Sequence, residues 1–350
     1  NNLKKHHKDL SKKDFHKARN HLYMAQANDS YWHGVFGGLY LNHLRSSVYS
    51  NLIEAEKIID KAARGSDRNI EIADINLDGS KEVMLISPEH NLYFLPHRQA
   101  ALFEWDYKPK SVNLTNTIMR RSEKYHQKLK EKVKQSASSS SGIPSIHEMP
   151  HADNEALALE LFYDKYPRYS LIEHCFTKDA HLDDFIFSNA KEIAPPFYRN
   201  ADYKILSGEK QGGVDFNYNV AGPGINLDIV KSLGIARNLK AQYHLRNLAQ
   251  AHAALNFGVE FNFSLYDPKL SINKGIFRAD TLSLNDVWYG IELDFGFEEE
   301  VLIWHFPVET ISESELGIEK TYQGLCLVFI WELDIPPDGT RKFKINLGVK

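Results

Sequence analysis

The sequence predicts a mainly β protein, a large antiparallel β-sandwich preceded by an N-terminal helical segment. Three observations carry that expectation. Apolar residues recur at steps of three and four before Gly65 and at every second position after it. The segments with period two are numerous and separated by turn residues. Aromatics are in mild excess, with 5 Trp, 17 Tyr and 19 Phe, which suits an all-β core or a sugar-stacking surface.

The 350 residues are enough for about two domains at roughly 150 residues each. The first is read as 1–65 and the second as 66–350. The chain opens at Asn1 without Met and runs into the basic stretch NNLKKHHKDLSKKDFHKARNHL. Its apolar positions Leu3, Leu10, Phe15 and Leu22 are sparse. A processed terminus and a cut through a longer protein both fit, and the motif that follows favours the cut. Over 36–64, Leu41, Leu44, Val48, Leu52, Ala55, Ile59 and Ala62 form one apolar stripe. Arg64 sits in the last turn and Gly65 is placed to stop the helix.

After Gly65 come the segment 67–74, a turn at Leu77-Asp78-Gly79, and the short strands SKEVMLIS, NLYFLPH and QAALFEWDY. Leu255, Phe257, Val259, Phe261, Phe263 and Leu265 share one face of a later strand, with Asn256, Gly258, Glu260, Asn262 and Ser264 opposite. Val287, Tyr289, Ile291, Leu293, Phe295 and Phe297 repeat that pattern. LCLVFIWEL (325–333) is apolar on both faces and predicts a central strand covered twice. The serine-rich stretch 127–154 predicts a mobile polar insert within the sandwich.

Composition narrows the function. Hydrophobic residues at 43% and charged residues at 25% are the globular balance. No apolar run approaches the roughly 20 residues that span a bilayer, so no membrane partner is expected. A net charge of −4 argues against nucleic acid. Cys175 and Cys326 form neither a disulfide framework nor a metal pair by spacing, which leans towards a cytoplasmic location.

Three segments concentrate chemistry. AQANDSYWHGVFGGLY (25–40) packs polar, aromatic and imidazole groups with three glycines between two helices. Asn28 and Asp29 suit hydrogen bonds to sugar hydroxyls, Trp32 stacking on a pyranose, and His33 donation to a ring substituent. The structural alternative makes Asn28 or Asp29 an N-cap and Trp32 a core plug. DINLDGSKE (74–82) places oxygen groups at Asp74, Asn76, Asp78 and Glu82 around Gly79, as at the start of a calcium loop. The twelfth position is Leu85 instead of Glu, and a plain β-turn is the alternative. In 304–324, Glu309, Glu313, Glu315 and Glu319 fall on an expected loop, where a pair could act as acid and base at roughly 5–10 Å. A solvated or salt-bridged acidic loop explains them as well.

Taken in order, these segments resemble the C-terminal half of glycoside hydrolase family 57, in its 4-α-glucanotransferase and α-amylase branch. AQANDSYWHGVFGGLYLNHLR resembles the last of its five signature regions, where the (β/α) barrel catalytic domain ends in helices. EIADINLDGSKEVMLIS, ALFEWDYKP, TIMRRSEKYH and FPVETISESELGIEKTYQG resemble pieces of its C-terminal sandwich. The resemblance implies a retaining mechanism on α-1,4-glucans with a Glu nucleophile and an Asp acid/base. Nothing here matches the barrel regions that carry those acids. It implies that Asp29 binds hydroxyls near the scissile bond, that Trp32 lines a subsite and that His33 acts through a neighbour. The expected partners are a maltooligosaccharide or longer α-1,4-glucan, an N-terminal barrel half in the same or another chain, and a second copy of the chain. No cofactor is expected apart from the calcium reading. A non-catalytic glucan-binding sandwich is the alternative function, and without its partner the stripe of 36–64 would be an exposed, adhesive face.

Overall fold

The computed structural model describes residues 2–34, 37–63, 69–138, 152–206, 212–235, 237–267, 269, 273–314 and 317–350. Three helices come first: α1 (Asn2–Lys5), α2 (Lys12–Ala25) and α3 (Asn42–Ala63). Ser11 caps α2, its Oγ accepting from the Asp14 N–H at 3.1 Å. The main helix therefore starts later than the expected 36. Gly37 and Gly38 have φ of +77° and +52°, a left-handed backbone that ends any helix. The expected stop at Arg64 and Gly65 lies outside the described residues. Most of the stripe is not an open face either: Val48, Ala55 and Ile59 are buried and Leu41, Leu44 and Leu52 half-buried, while Ala62 is exposed.

The next five strands form an antiparallel meander: β1 (Asn69–Ala73), β2 (Glu82–Ile86), β3 (His90–Leu95), β4 (Ala101–Tyr107) and β5 (Val112–Asn113). Helix α3 lies against this sheet. Glu56 accepts from Asn91 Nδ2 at 2.9 Å and from the Tyr93 hydroxyl at 3.2 Å, while Lys108 Nζ donates to Asp60 at 2.7 Å. Helices α4 (Lys124–Ser138) and α5 (Ala152–Leu159) take up both ends of the expected polar insert 127–154, which are therefore helical, and its stretch 139–151 lies outside the described residues.

Among the described residues the second sheet has eleven strands. After β6 (Ile172–Phe176) come the short helix α6 (Leu182–Ile186), β7 (Glu192–Ala194), β8 (Asp202–Leu206), β9 (Gly213–Gly222), β10 (Ile225–Ile235) and β11 (Leu239–Asn247). They are followed by β12 (Ala253–Phe263), β13 (Gly275–Asp286), β14 (Ile291–Ser314), β15 (Gly317–Ile335) and β16 (Thr340–Val349). The spatial order is β7-β6-β12-β15-β14-β16-β11-β10-β9-β8, with β13 paired to β14. Apolar faces of both sheets meet in one core, where Phe94 lies against Phe216 and Trp105 against Phe263. The fold is the expected antiparallel sandwich.

Strand β15 is covered on both sides, as its composition predicts. Leu325, Leu327, Phe329 and Trp331 enter the main core, while Cys326, Val328 and Ile330 pack beneath Phe176, Phe185, Trp304 and Phe306. Two expectations fail. Val287 is exposed, and β14 begins only at Ile291, because the positive φ of Gly290 belongs to a turn. The expected loop after Trp304 is instead the continuation of β14, paired with β15 through Ser314. Alternating Phe306, Val308 and Thr310 face inward there, so the strand has an apolar side to bury.

The polar face of β12 is also buried. Glu260 accepts from Arg168 Nη1 at 2.9 Å and contacts His174 Nε2 at 3.0 Å, and His174 Nδ1 meets Glu192 at 3.2 Å. Arg120 and Arg168 converge on Asp164. Burial alone would lower the His174 pKa, but the Glu192 and Glu260 carboxylates outweigh it and raise the value to about 9. Among the described residues no helix is long and apolar enough to cross a membrane.

A pH dependence follows. A histidine raised from 6.5 to about 9 stabilises the fold fully below pH 6.5 and loses that contribution as pH rises through 9. The loss should be at most about 3 kcal/mol. Urea melts of the wild type at pH 6 and pH 9.5 should differ by more than those of His174→Gln; equal differences would contradict the assignment.

Candidate functional site

The candidate site is the joint between α2 and α3. A 3₁₀ turn over Asn28–Tyr31 leaves α2, and a second over Gly38–Tyr40 enters α3. Ala27, not Asn28 or Asp29, occupies the N-cap of the first turn, and no side chain caps it. Asn28 and Asp29 are exposed. Among the described residues neither the Asp29 carboxylate nor the Trp32 indole N–H has a hydrogen-bond partner. Trp32 is 46% exposed, which overturns the core-plug alternative. Tyr23, Met24 and Tyr31 are also exposed, so the joint carries an aromatic surface beside a carboxylate. That combination suits a pyranose, whose apolar face stacks while its hydroxyls find an acceptor.

The backbone beneath this surface is fixed. The Leu39 N–H donates to the Trp32 carbonyl at 3.0 Å, and the Tyr31 hydroxyl donates to the Ala25 carbonyl at 2.6 Å. A Cβ on Gly38 would lie 2.1 Å from the Trp32 carbonyl oxygen, so only glycine permits that approach. Half-buried His33 places Nδ1 3.1 Å from the Gly37 carbonyl, and its ring meets Tyr40 and Tyr125 edge-on at 4.8 and 5.2 Å. It shapes the joint from behind.

Residues that the sequence does not single out seat the joint on the sandwich. Buried Arg45 donates from Nη1 to the Leu39 carbonyl at 2.6 Å and from Nε to Asn116 Oδ1 at 3.0 Å. Its Nη2 donates to the Asn116 carbonyl at 3.1 Å and to Gln323 Oε1 at 2.9 Å. Gln323 Nε2 in turn donates to the Tyr40 carbonyl at 3.0 Å. Burial lowers the Arg45 pKa to about 10, which leaves the guanidinium charged at neutral pH. The Tyr40 hydroxyl donates to Glu123 at 2.7 Å, and burial with that carboxylate pushes its pKa up to about 12. Asn116 and Gln323 lie 71 and 278 residues from Arg45, and no local motif links them to it.

The acidic cluster of 304–324 does not assemble. Glu309 and Glu313 share one side of β14, four residues apart, which spans about 13 Å of strand. Glu319 stands opposite Ser312 and so takes the other side. Neither spacing suits an acid/base pair at roughly 5–10 Å. Burial raises the Glu309 pKa, and Lys320 Nζ approaches it at 3.9 Å. Glu315 lies outside the described residues. In the turn before β2, carboxylate oxygens of Asp74, Asp78 and Glu82 lie within 4.8 Å of one another.

Comparison with known proteins follows this geometry. The family model for the C-terminal domain of alpha-amylase/4-alpha-glucanotransferase matches residues 74–347, and that for the middle domain matches residues 2–59. Alpha-amylase 1 of Dictyoglomus thermophilum is 34% identical over 95% of this chain and 49% of its own length. The 4-alpha-glucanotransferase of Thermococcus litoralis is 29% identical over 95% and 49%. Its crystal structure superposes with a TM-score of 0.77 at 25% identity, over 95% of this chain and 46% of that one. The chain spans about half the length of the curated relatives it matches.

Removing Arg45 tests the seating. Arg45→Ala strands buried carbonyl and amide oxygens and should cost about 2–4 kcal/mol in urea-melt stability. Arg45→Lys should recover only part, because an ammonium cannot reproduce the planar fork. Wild-type stability in both variants would show that the network does not hold the joint.

Proposed function

Because the chain belongs to the α-amylase/4-α-glucanotransferase family, glycoside hydrolase family 57, we propose that it serves an α-1,4-glucan-processing retaining enzyme as its middle and C-terminal portion. In this reading the nucleophilic Glu and the acid/base Asp are contributed by an N-terminal barrel, in the same chain or another. This chain contributes subsite groups from the α2–α3 joint. The observation that carries the reading is the exposed Asp29 and Trp32 pair on a backbone fixed from behind. Trp32 offers a face for a sugar ring, and Asp29 accepts from hydroxyls of the neighbouring unit. Asn28 stands beside them, and His33 keeps the turn in shape. The chain by itself is expected to be inactive. Catalysis needs two carboxylates held rigidly at the bond, and the 304–324 acids are not so placed. Free, buried Cys175 and Cys326 support a reducing, cytoplasmic setting.

Substitution in the enzyme that contains the barrel tests this. Asp29→Ala and Trp32→Ala should each lower kcat/KM for maltoheptaose by about tenfold or more, on the order of 1.4 kcal/mol of transition-state binding. Wild-type kinetics in both would remove the joint from the substrate path. Calorimetric titration of this chain with maltoheptaose separates the alternative role: saturable heat without product would favour a non-catalytic glucan-binding sandwich.

A further inference from the structure

We propose that the turn between β1 and β2 is a calcium site, formed by Asp74, Asn76, Asp78 and Glu82. The inference is independent of the glucan reading. The sequence D-x-N-x-D-G sets oxygen-bearing side chains on alternate residues before a glycine, and Gly79 turns with φ of +90°. An EF-hand places a bidentate Glu at the twelfth position, but here that position is Leu85, buried in the core. The carboxylate comes instead from Glu82, the ninth position and the first residue of β2.

Glu82 supplies the observation that separates this turn from an ordinary one. Its side chain is fully buried, yet only one oxygen is used: Oε2 accepts from the Ile75 N–H at 2.8 Å, while Oε1 has no partner among the described residues. A fully buried carboxylate oxygen left without a donor is costly. Carboxylate oxygens of Asp74, Asp78 and Glu82 fall within 4.8 Å of one another. The backbone holds them in place. Asp74 accepts from the N–H groups of Asp78 and Gly79 at 3.2 and 3.1 Å, and Asp78 accepts from the Ser80 N–H at 2.8 Å. Asn76 Oδ1 accepts from the Asp78 N–H at 2.9 Å, which keeps the amide oxygen in the same turn. His97 Nε2 reaches Asp78 Oδ2 at 3.6 Å from one side. A divalent cation at the centre of the group would offset two of the three carboxylate charges.

The donor set selects the ion. All the candidate ligands are oxygens, three of them carboxylates, with neither Cys nor His in the group, so zinc is disfavoured. A set of carboxylate and amide oxygens suits the longer bonds and variable geometry of calcium better than the strict octahedron of magnesium. Bound there, the ion would tie the β1–β2 turn to the buried start of β2, anchoring a strand that is otherwise half-buried at the edge of its sheet.

The test uses the whole chain after EDTA treatment, titrated with calcium chloride by calorimetry and melted with and without the ion. One calcium per chain and a melting temperature that rises with calcium concentration are expected, with a smaller rise for magnesium. Asp78→Asn, at an exposed position, should weaken binding by about tenfold or more while leaving the metal-free circular dichroism unchanged. Glu82→Gln should do the same, and if it does not fold, Asp78→Asn decides alone. No heat and no melting shift above about 1 mM calcium would overturn the proposal, as would a shift that Asp78→Asn leaves intact.

Discussion

The position of the candidate site depends on one buried guanidinium. Arg45 is a charge taken out of water and met by neutral oxygens of Leu39, Asn116 and Gln323. Desolvating a guanidinium is tolerable because its charge is delocalised and its planar fork satisfies several acceptors at once. Those acceptors come from the joint, the segment after β5, and β15. A single side chain therefore fixes the helical segment against both sheets. Asn42 and Ser46 extend the same contact, donating to Ser264 at 2.6 Å and meeting the Tyr289 hydroxyl at 2.9 Å. The exposure of Asp29 and Trp32 follows from that seating: the joint is held from behind and open in front.

The sandwich repeats this device inside its core. Lys231 sits on the inward face of β10 among Leu227, Ile229 and Leu233. Its Nζ donates to the carbonyls of Gln99, Ala100 and Leu171 at 2.9–3.0 Å and to Glu173 at 2.8 Å. Those three residues have positive φ, an unfavourable backbone for side chains other than glycine. The ammonium collects carbonyls that would otherwise be buried without donors. Glu173 is further held by the hydroxyls of Tyr218 and Tyr243 at 2.6 and 2.7 Å. Every polar group in this cluster has a counterpart, so breaking one member would strand several others.

This explains how much was legible in the sequence. Period two locates the strands, and the doubly apolar run 325–333 locates the sheet's centre, because both depend on local alternation. The fold class was legible for the same reason, whereas the family was legible in the resemblance of the joint motif and the sandwich segments. Alternation assigns a face but not what covers it. For the polar side of β12 it gives no sign that Arg168 and His174 cover Glu260. Val287 fits the alternation of β14 but falls in the turn that Gly290 permits. Arg45 and Gln323 are invisible as a pair because their contact closes a loop of 278 residues. Glu82 is visible as a carboxylate, but its unpartnered oxygen is a tertiary fact.

The acids of β14 show why residue type alone misleads about chemistry. Four glutamates within eleven residues look like a catalytic reservoir, but a strand separates same-side neighbours by multiples of about 6.6 Å and sends the intervening residues to the other face. Glu309 and Glu313 are therefore too far apart, and Glu319 faces away from both. A helix joint behaves differently. Its tight turns gather Asp29, Tyr31 and Trp32 within a few residues, and its glycines let carbonyls approach where a side chain would intervene. Such a joint can present a stacking ring beside an acceptor without a barrel's support, provided the backbone behind it cannot move. Arg45, Tyr40 and His33 supply that restraint from the sandwich side. The division of labour follows from geometry: the strands provide a rigid seat, and the joint presents an exposed ring beside a carboxylate.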